Sequence, residues 1–153
     1  MAQKSKKNQI AVAALPLFLK NGFKGTSIDM VVKTSEVSKA TVYNHFPDKA
    51  ALMLATLNWW IEANKPLIAP VRDHAGFQQF VQQHWLLDET VRMYALVIGE
   101  GWRFAEARDL FWQQFDQSWR QALEYQWNNI GLDHDIDLEC HLDHLLLRRL
   151  RQL

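Results

Sequence analysis

The chain has 153 residues, of which 48% are apolar and 22% are charged, and its formal net charge is zero. This balance is typical of a folded protein with one or two small cores and excludes a disordered chain. The single cysteine, Cys140, excludes an intrachain disulfide. No apolar run approaches the ~20 residues that a membrane-spanning helix needs. We therefore expect a cytoplasmic protein.

Basic residues are concentrated near the N-terminus. Residues 1–49 hold eight Lys against Asp29, Glu36 and Asp48, a net charge of +5, whereas the remainder holds nine basic and fourteen acidic residues, a net charge of −5. A basic module attracts a polyanion such as nucleic acid, and an acidic remainder repels it. A solvated, Lys-rich surface would show the same imbalance, so charge alone leaves both interpretations open.

Apolar residues recur at helical spacing along the whole chain, which predicts an all-α protein. The first helix is predicted over about 6–21, where Gly22 suits a left-handed C-terminal cap and Pro16 is expected to kink the helix. Thr26 begins a shortened capping box, which opens a second helix over about 27–34.

The stretch VSKATVYNHF, residues 37–46, predicts a third helix with an unusual number of hydrogen-bonding side chains. Ser38 can cap it, and the short turn before it gives the dimensions of a helix-turn-helix. Val42 and Phe46 share the face that packs on the other helices. The other positions carry side chains that can approach phosphate oxygens or base edges: Lys39, Ala40, Thr41, Tyr43, Asn44 and His45. The stretch therefore predicts a recognition helix, with a solvated amphipathic helix as the alternative.

Two longer stretches, AALPLFLKNGFKGTSIDMVV and VSKATVYNHFPDKAALMLATL, resemble the N-terminal module of TetR-family transcriptional regulators over residues 10–57. The resemblance implies a three-helix DNA-binding domain, residues 1–47, whose third helix enters the major groove of double-stranded DNA. The residues that it places near phosphates are Thr26, Ser27, Thr41, Tyr43, His45 and Lys49. The residues to which it assigns base reading are Lys39, Ala40 and Asn44.

Three features depart from the family's pattern. Glu36 stands in the turn where the family usually has Gly, Val32 and Ser35 replace usual small apolar residues, and Pro16 interrupts the first helix. Glu36 must either tolerate a strained backbone or reshape the turn, and its charge is unfavourable near phosphates. We expect these departures to affect DNA affinity more than the fold.

Residues 48–153 are predicted to form a helical domain for ligand binding and dimerisation. Its helices are predicted over about 48–63, 75–86, 88–104, 106–130 and 135–152. The stretch YALVIGEGWRFAEARDLFWQQF resembles the regulatory domains of AcrR-like members of the family, which bind small molecules and pair as homodimers. The last two helices carry apolar stripes that we expect to form a homodimer interface: Phe111, Phe115, Trp119, Leu123 and Ile130, then Leu138, Leu142, Leu145, Leu146 and Leu150.

Aromatic residues are dense in this second part, which holds all seven Trp residues. Aromatic walls suit flat or cationic organic ligands. The candidate ligand-binding residues are Trp85, Tyr94, Glu100, Trp102, Phe115 and Trp119. Plain core packing is the alternative for the aromatic residues, and a partnership with Arg103 or with a backbone group is the alternative for Glu100.

A group of potential metal ligands lies near the C-terminus: His134, Asp137, Cys140, His141 and His144. Their helical spacing would suit a metal site. A solvated polar face explains them as well, because the same segment must also present its Leu stripe, and we predict no metal and no cofactor. The chain has no nucleotide-binding Gly loop, nucleophile motif or paired acids, so an enzyme is not expected.

Two functions remain after these arguments. The first is a sequence-specific DNA-binding repressor that acts as a homodimer on a palindromic operator and is released by a small organic ligand. The second is a helical sensor or protein-interaction module whose DNA binding has been weakened by features such as Glu36 and Pro16.

Overall fold

The computed structural model describes residues 5–131 and 136–153, and the regular structure within them is helical. The predicted all-α fold is confirmed. The helices are α1 Lys6–Gly25, α2 Ile28–Ser35, α3 Lys39–His45, α4 Lys49–Ala63, α5 His74–Phe80, α6 Asp88–Glu100, α7 Ala105–Leu110, α8 Gln117–Ile130 and α9 Leu138–Leu150. A π-helical turn, Val81–Trp85, continues α5, and a second, Phe111–Asp116, joins α7 to α8.

Short polar side chains begin the helices of the N-terminal part. Ser5, Ser27, Ser38 and Asp48 each accept a hydrogen bond from a backbone N–H three residues ahead, at the starts of α1, α2, α3 and α4. Ser27, rather than the predicted Thr26, therefore caps α2. The predicted cap Ser38 is confirmed, and the predicted bounds of these helices are confirmed within a few residues.

The backbone of α1 leaves helical geometry at Gly22, with φ 74° and ψ 174°, and not at Pro16 as predicted. Positive φ is readily accessible to glycine because it has no Cβ. The helix resumes after Gly22 and ends at Gly25. The last turn of α1 is thereby offset from the rest of the helix, which shapes the segment before α2.

The buried apolar side chains form one continuous cluster that extends from Ile10 in α1 to Leu146 in α9. Phe18, Val42 and Phe46 belong to it in the N-terminal part, and Trp60 on α4 lies next to Phe115, with ring centroids 4.6 Å apart. Helix α4 thus links the packing of both parts. The domain boundary between residues 47 and 48 remains a prediction.

The apolar stripes predicted to be open for dimerisation are largely buried within the chain itself. Phe111, Phe115, Trp119 and Leu123 are at most 3% exposed, and Leu142, Leu145 and Leu146 are at most 8% exposed. Contrary to the prediction, these seven side chains therefore need no partner subunit to bury them. Among the described residues of α8 and α9, Tyr125 and Leu147 keep large exposed apolar surfaces, 58% and 53% of their maximum.

Among residues 5–131 and 136–153, no helix combines the length and the apolar character needed to span a bilayer.

Candidate nucleic-acid interface

Helices α2 and α3 are fixed by apolar side chains on their inner faces. Val31, Val37, Val42 and Phe46 are at most 5% exposed. Glu36 ends α2 in the left-handed conformation, with φ 56° and ψ 27°. The departure from Gly at this turn is thus accommodated by backbone strain rather than by a different turn.

The outer side of α3 presents a row of polar and small side chains to solvent. Ala40, Tyr43, Asn44 and His45 are all exposed, whereas Thr41 is half-buried and its hydroxyl lies 2.8 Å from the hydroxyl of Ser38. Tyr43 keeps 46% of its surface exposed although it is a large aromatic residue. Four of the contact residues predicted on this helix are therefore accessible to solvent.

Lys39, at the start of α3, is already paired with an acid of the same module. Its ammonium lies 2.7 Å from the carboxylate of Asp29 on α2. The hydrogen bond and the negative charge of Asp29 raise the pKa of Lys39 above its ordinary value. Both side chains are exposed, so solvent screens the pair and Lys39 can exchange this partner for a base or a phosphate.

Thr26 and Lys49 make internal contacts in addition to their predicted role at phosphates. Thr26 is 1% exposed, and its hydroxyl donates to the carbonyl of Gly22 at 2.8 Å. Lys49 donates to the carbonyl of Thr26 at 3.0 Å and lies 4.6 Å from the centre of the Phe23 ring. Ser27 remains exposed at the N-terminus of α2. Of these three, Ser27 is the most accessible to a phosphate.

The six predicted ligand-binding residues fall into separate environments. Trp85, Tyr94, Phe115 and Trp119 are at most 3% exposed and pack in the aromatic core, whereas Trp102 is 67% exposed and stacks on Arg103. The carboxylate of Glu100 accepts hydrogen bonds from the backbone N–H groups of Phe23 and Lys24. The alternatives given in the sequence analysis therefore describe five of the six residues. The four buried aromatic residues pack in the core, and Glu100 has backbone partners.

Two clefts border members of this set. The first has a volume of about 450 Å³ and is lined by Ile61, Glu62 and Phe115 among other residues. The second has a volume of about 300 Å³ and lies between α1 and α6, where Gly22, Arg92 and Glu100 line it. Phe115 and Glu100 therefore belong to different clefts.

A polar network that was not predicted from the sequence is buried at Tyr94 and Asp116, reaches the surface at Glu139 and Asp143, and joins α6 to α8 and α9. The hydroxyl of Tyr94 donates to Asp116 at 2.6 Å, and Arg120 donates to Asp116 at 3.0 Å, to Glu139 at 2.5 Å and to Asp143 at 2.6 Å. The i, i+4 spacing of Asp116 and Arg120 was its only local signal. The other partners come from distant helices.

The network shifts the pKa values of its members. Burial raises the pKa of Tyr94 well above its ordinary value, and the charge of Asp116 raises it further. Burial alone would lower the pKa of Arg120, but Asp116, Asp143 and Glu139 together raise it above its ordinary value. Tyr94 therefore stays protonated and Arg120 stays charged over the physiological pH range.

The predicted metal-ligand candidates are only partly described, because His134 lies outside the described residues. In the part of the chain that the structure describes, no group of three or more His, Cys, Asp or Glu side chains is placed to hold a metal ion. His141 packs instead against His74 and Trp127. Its ring centroid lies 5.7 Å from that of His74 and 6.1 Å from that of Trp127. Burial lowers the pKa of His141, and His74 and His144 lower it further.

Comparison with known proteins identifies relatives of the N-terminal part. Residues 10–56 match the family described as bacterial regulatory proteins, tetR family. The chain is 37% identical over 59 residues to YuxN of Bacillus subtilis, an uncharacterized HTH-type transcriptional regulator, and 44% identical over 59 residues to the HTH-type transcriptional regulator QacR of Staphylococcus aureus. Each match covers 39% of this chain but only 20% of YuxN and 30% of QacR.

Solved structures extend the similarity of fold to nearly the whole chain. GusR of Salmonella enterica superimposes with a TM-score of 0.69 at 22% identity, covering 98% of this chain and 82% of GusR. A TetR transcriptional regulator from Agrobacterium tumefaciens superimposes with a TM-score of 0.62 at 20% identity, covering 97% of this chain and 84% of the other. At this identity the two structures support the fold of the second part and carry no ligand assignment.

Proposed function

Because this chain belongs to the TetR family of bacterial regulatory proteins, we propose that it is a sequence-specific DNA-binding transcriptional regulator that represses transcription until a small molecule releases it. Such a protein acts on DNA in the bacterial cytoplasm. The observation that carries the proposal is the exposed row of Ala40, Tyr43, Asn44 and His45 on α3, inside the segment that matches the family.

The row has the chemistry that recognition of DNA requires. Asn44 can donate and accept together, which suits an adenine edge in the major groove, and Ala40 lets the backbone of α3 approach the bases. Lys39 can read guanine or neutralise a phosphate. Tyr43 and His45 can hold the sugar-phosphate backbone on either side, with Thr26, Ser27, Thr41 and Lys49 at its margin.

We propose a homodimer on a palindromic operator, because one α3 helix covers only a half-site and a two-fold dimer presents two. The exposed side chains of Tyr125 on α8 and Leu147 on α9 support an interface on these helices. Light scattering should show twice the chain mass at micromolar concentration. Leu147→Glu should yield a monomer, whereas Ile98→Glu, a matched change of an exposed apolar residue on α6, should not.

For the ligand we propose an aromatic or cationic organic molecule that enters the cleft beside Phe115. The Trp60, Phe115 and Trp119 rings lie behind this cleft, and Glu62 supplies a carboxylate at its rim. Trp85 and Tyr94 extend the same aromatic cluster, while Glu100 and Trp102 lie at the end of α6 and in the turn after it. A ligand that orders this cluster can change the DNA-binding surface through α4.

Two titrations test the regulatory part of the proposal. Ligand should change Trp emission and weaken DNA binding, and DNA should weaken ligand binding by the same factor because the coupling free energy is reciprocal. A ligand that binds while DNA affinity stays constant would leave the cleft a binding site but would remove its regulatory role.

Selection from a pool of randomised duplexes tests the DNA-binding part. The protein should enrich a palindromic sequence from the pool. Fluorescence anisotropy should then show tighter binding to the selected duplex than to a scrambled one. Affinity for both should fall steeply with salt, since phosphate neutralisation releases counterions. A pool without enrichment would contradict sequence-specific recognition.

The second candidate function is a helical sensor or interaction module with weak DNA binding. Three observations favour it: the acid Glu36 in the turn, the pairing of Lys39 with Asp29, and the internal contacts of Lys49. It predicts salt-dependent binding without enrichment of any sequence. The selection experiment therefore separates the two functions.

A further inference from the structure

The end of α1 is held by a side chain from a helix that lies far away in sequence. After the break at Gly22, the N–H of Phe23 donates to one carboxylate oxygen of Glu100 and the N–H of Lys24 donates to the other, both at 2.9 Å. Glu100 is the last residue of α6. Hydrogen bonds to a charged acceptor are stronger than those between neutral groups, so these two bonds fix the segment firmly.

Gly22 is required for this arrangement in two independent ways. Its φ of +74° is unfavourable for residues with a Cβ, and a Cβ placed on it would lie 2.2 Å from the nearer oxygen of Glu100. The glycine therefore permits both the change of backbone direction and the close approach of the carboxylate. Without that approach, Glu100 could not meet the two N–H groups together.

The same segment, residues 22–26, is held from its other side by the start of α4. The ammonium of Lys49 donates to the carbonyl of Thr26 at 3.0 Å and to that of Lys24 at 3.5 Å. It also lies over the ring of Phe23, which packs against Phe104 and Phe18 with ring centroids 4.9 and 5.9 Å away. Lys49 and Glu100 therefore bind the same backbone segment, Lys49 through its carbonyl groups and Glu100 through its N–H groups.

We propose that Glu100 is a positioning residue for the DNA-binding surface, which sets the place of Lys49 through the 22–26 segment. This inference rests on the proposed DNA-binding function. Glu100 therefore acts on Lys49 through the backbone of this segment and needs no contact with DNA itself.

The test compares Glu100→Gln with Glu106→Gln, a matched change of an exposed carboxylate on α7. Glutamine keeps the size of the side chain, but its amide nitrogen faces an N–H that needs an acceptor. Binding to the selected and scrambled duplexes should weaken about tenfold for Glu100→Gln, equally on both, because Lys49 meets a phosphate whatever the sequence. Glu106→Gln should bind as the unchanged chain does.

A double-mutant cycle distinguishes positioning from general destabilisation. If Glu100 acts through Lys49, then Glu100→Gln should cost little further DNA affinity in a chain that already carries Lys49→Ala. Amide exchange of Phe23 and Lys24, measured by NMR in the free protein, should accelerate in Glu100→Gln and not in Glu106→Gln. Glu100→Asp, whose shorter carboxylate cannot reach both N–H groups, gives the same comparison if the Gln variant unfolds.

The outcomes separate the inference from the function on which it rests. If the unmutated protein binds neither duplex, the proposed function is wrong and this inference falls with it. If the unmutated protein binds DNA, two results contradict the inference alone. One is full DNA affinity of Glu100→Gln, and the other is additive losses of affinity in the double-mutant cycle.

Discussion

Asp29 of α2 and Lys39 of α3 form an ion pair of 2.7 Å across the helix-turn-helix, on the side that we propose faces DNA. Asp29 pairs with the ammonium of Lys39 and also places a negative charge near the expected DNA phosphates. Asp29→Asn should therefore tighten binding to selected and scrambled duplexes by a few-fold, most clearly at low salt. Asp109→Asn, which removes an exposed, ion-paired acid from α7, serves as the control. Equal affinities for both variants would place Lys39 away from DNA.

Glu36 is the one residue other than glycine with positive φ among residues 5–131 and 136–153. A left-handed backbone costs a residue with a Cβ about 1 kcal/mol relative to glycine. Glu36→Gly should raise the free energy of unfolding by about that amount in urea titrations. Glu36→Ala removes the same charge but keeps the Cβ, so it should give no such gain. If the two variants are equally stable, the turn is not strained.

The pair of Tyr94 and Asp116 ties α6 to the π-helical turn that precedes α8. Tyr94→Phe should lower the free energy of unfolding by about 1–2 kcal/mol, since Asp116 keeps its contact with Arg120. Asp116→Ala should cost about 3 kcal/mol or more, because it leaves Tyr94 and the buried side of Arg120 without their acceptor. Gln117→Ala, at the exposed next position, is the control. Urea midpoints in the reverse order would contradict the role given to Asp116.

The His141 site should make stability depend on pH. Its pKa is lowered in the folded protein by burial and by His74 and His144, so the unfolded chain binds more protons near the ordinary pKa of 6.5. Stability should therefore fall as the pH drops through 6.5, and the decline should end below the folded-state pKa. His141→Phe should flatten this part of the profile measured by thermal unfolding. A profile that His141→Phe does not alter would assign the pH dependence elsewhere.

The sequence was sufficient for the elements of the DNA-binding part because their signals are local. Ser38 lies directly before the helix it caps, and the spacing of Val42 and Phe46 identified the inner face of α3. For Glu36, the departure from the family's usual Gly left two possibilities, a strained backbone or a reshaped turn, and the left-handed backbone is the one observed.

Contacts between residues that are far apart in the sequence could not be predicted from local sequence patterns. Glu100 and Phe23 are 77 positions apart, and no local pattern connects them. The aromatic residues were identified as an apolar face, but periodicity does not show whether the space opposite that face is filled. Neighbouring helices fill it for Trp85 and Tyr94, whereas a cleft borders Phe115.

The central claim, that α3 reads a DNA sequence, depends most directly on Asn44. Anisotropy titrations at two salt concentrations should compare Asn44→Ala with the unchanged chain on the selected and scrambled duplexes. Asn44→Ala should lose about 1–3 kcal/mol per half-site on the selected duplex and almost nothing on the scrambled one. Lys49→Ala, the control for phosphate contact, should weaken both equally and lower the salt slope by about one per protomer. An Asn44→Ala chain that loses the same affinity on both duplexes, or on neither, would contradict sequence reading by α3.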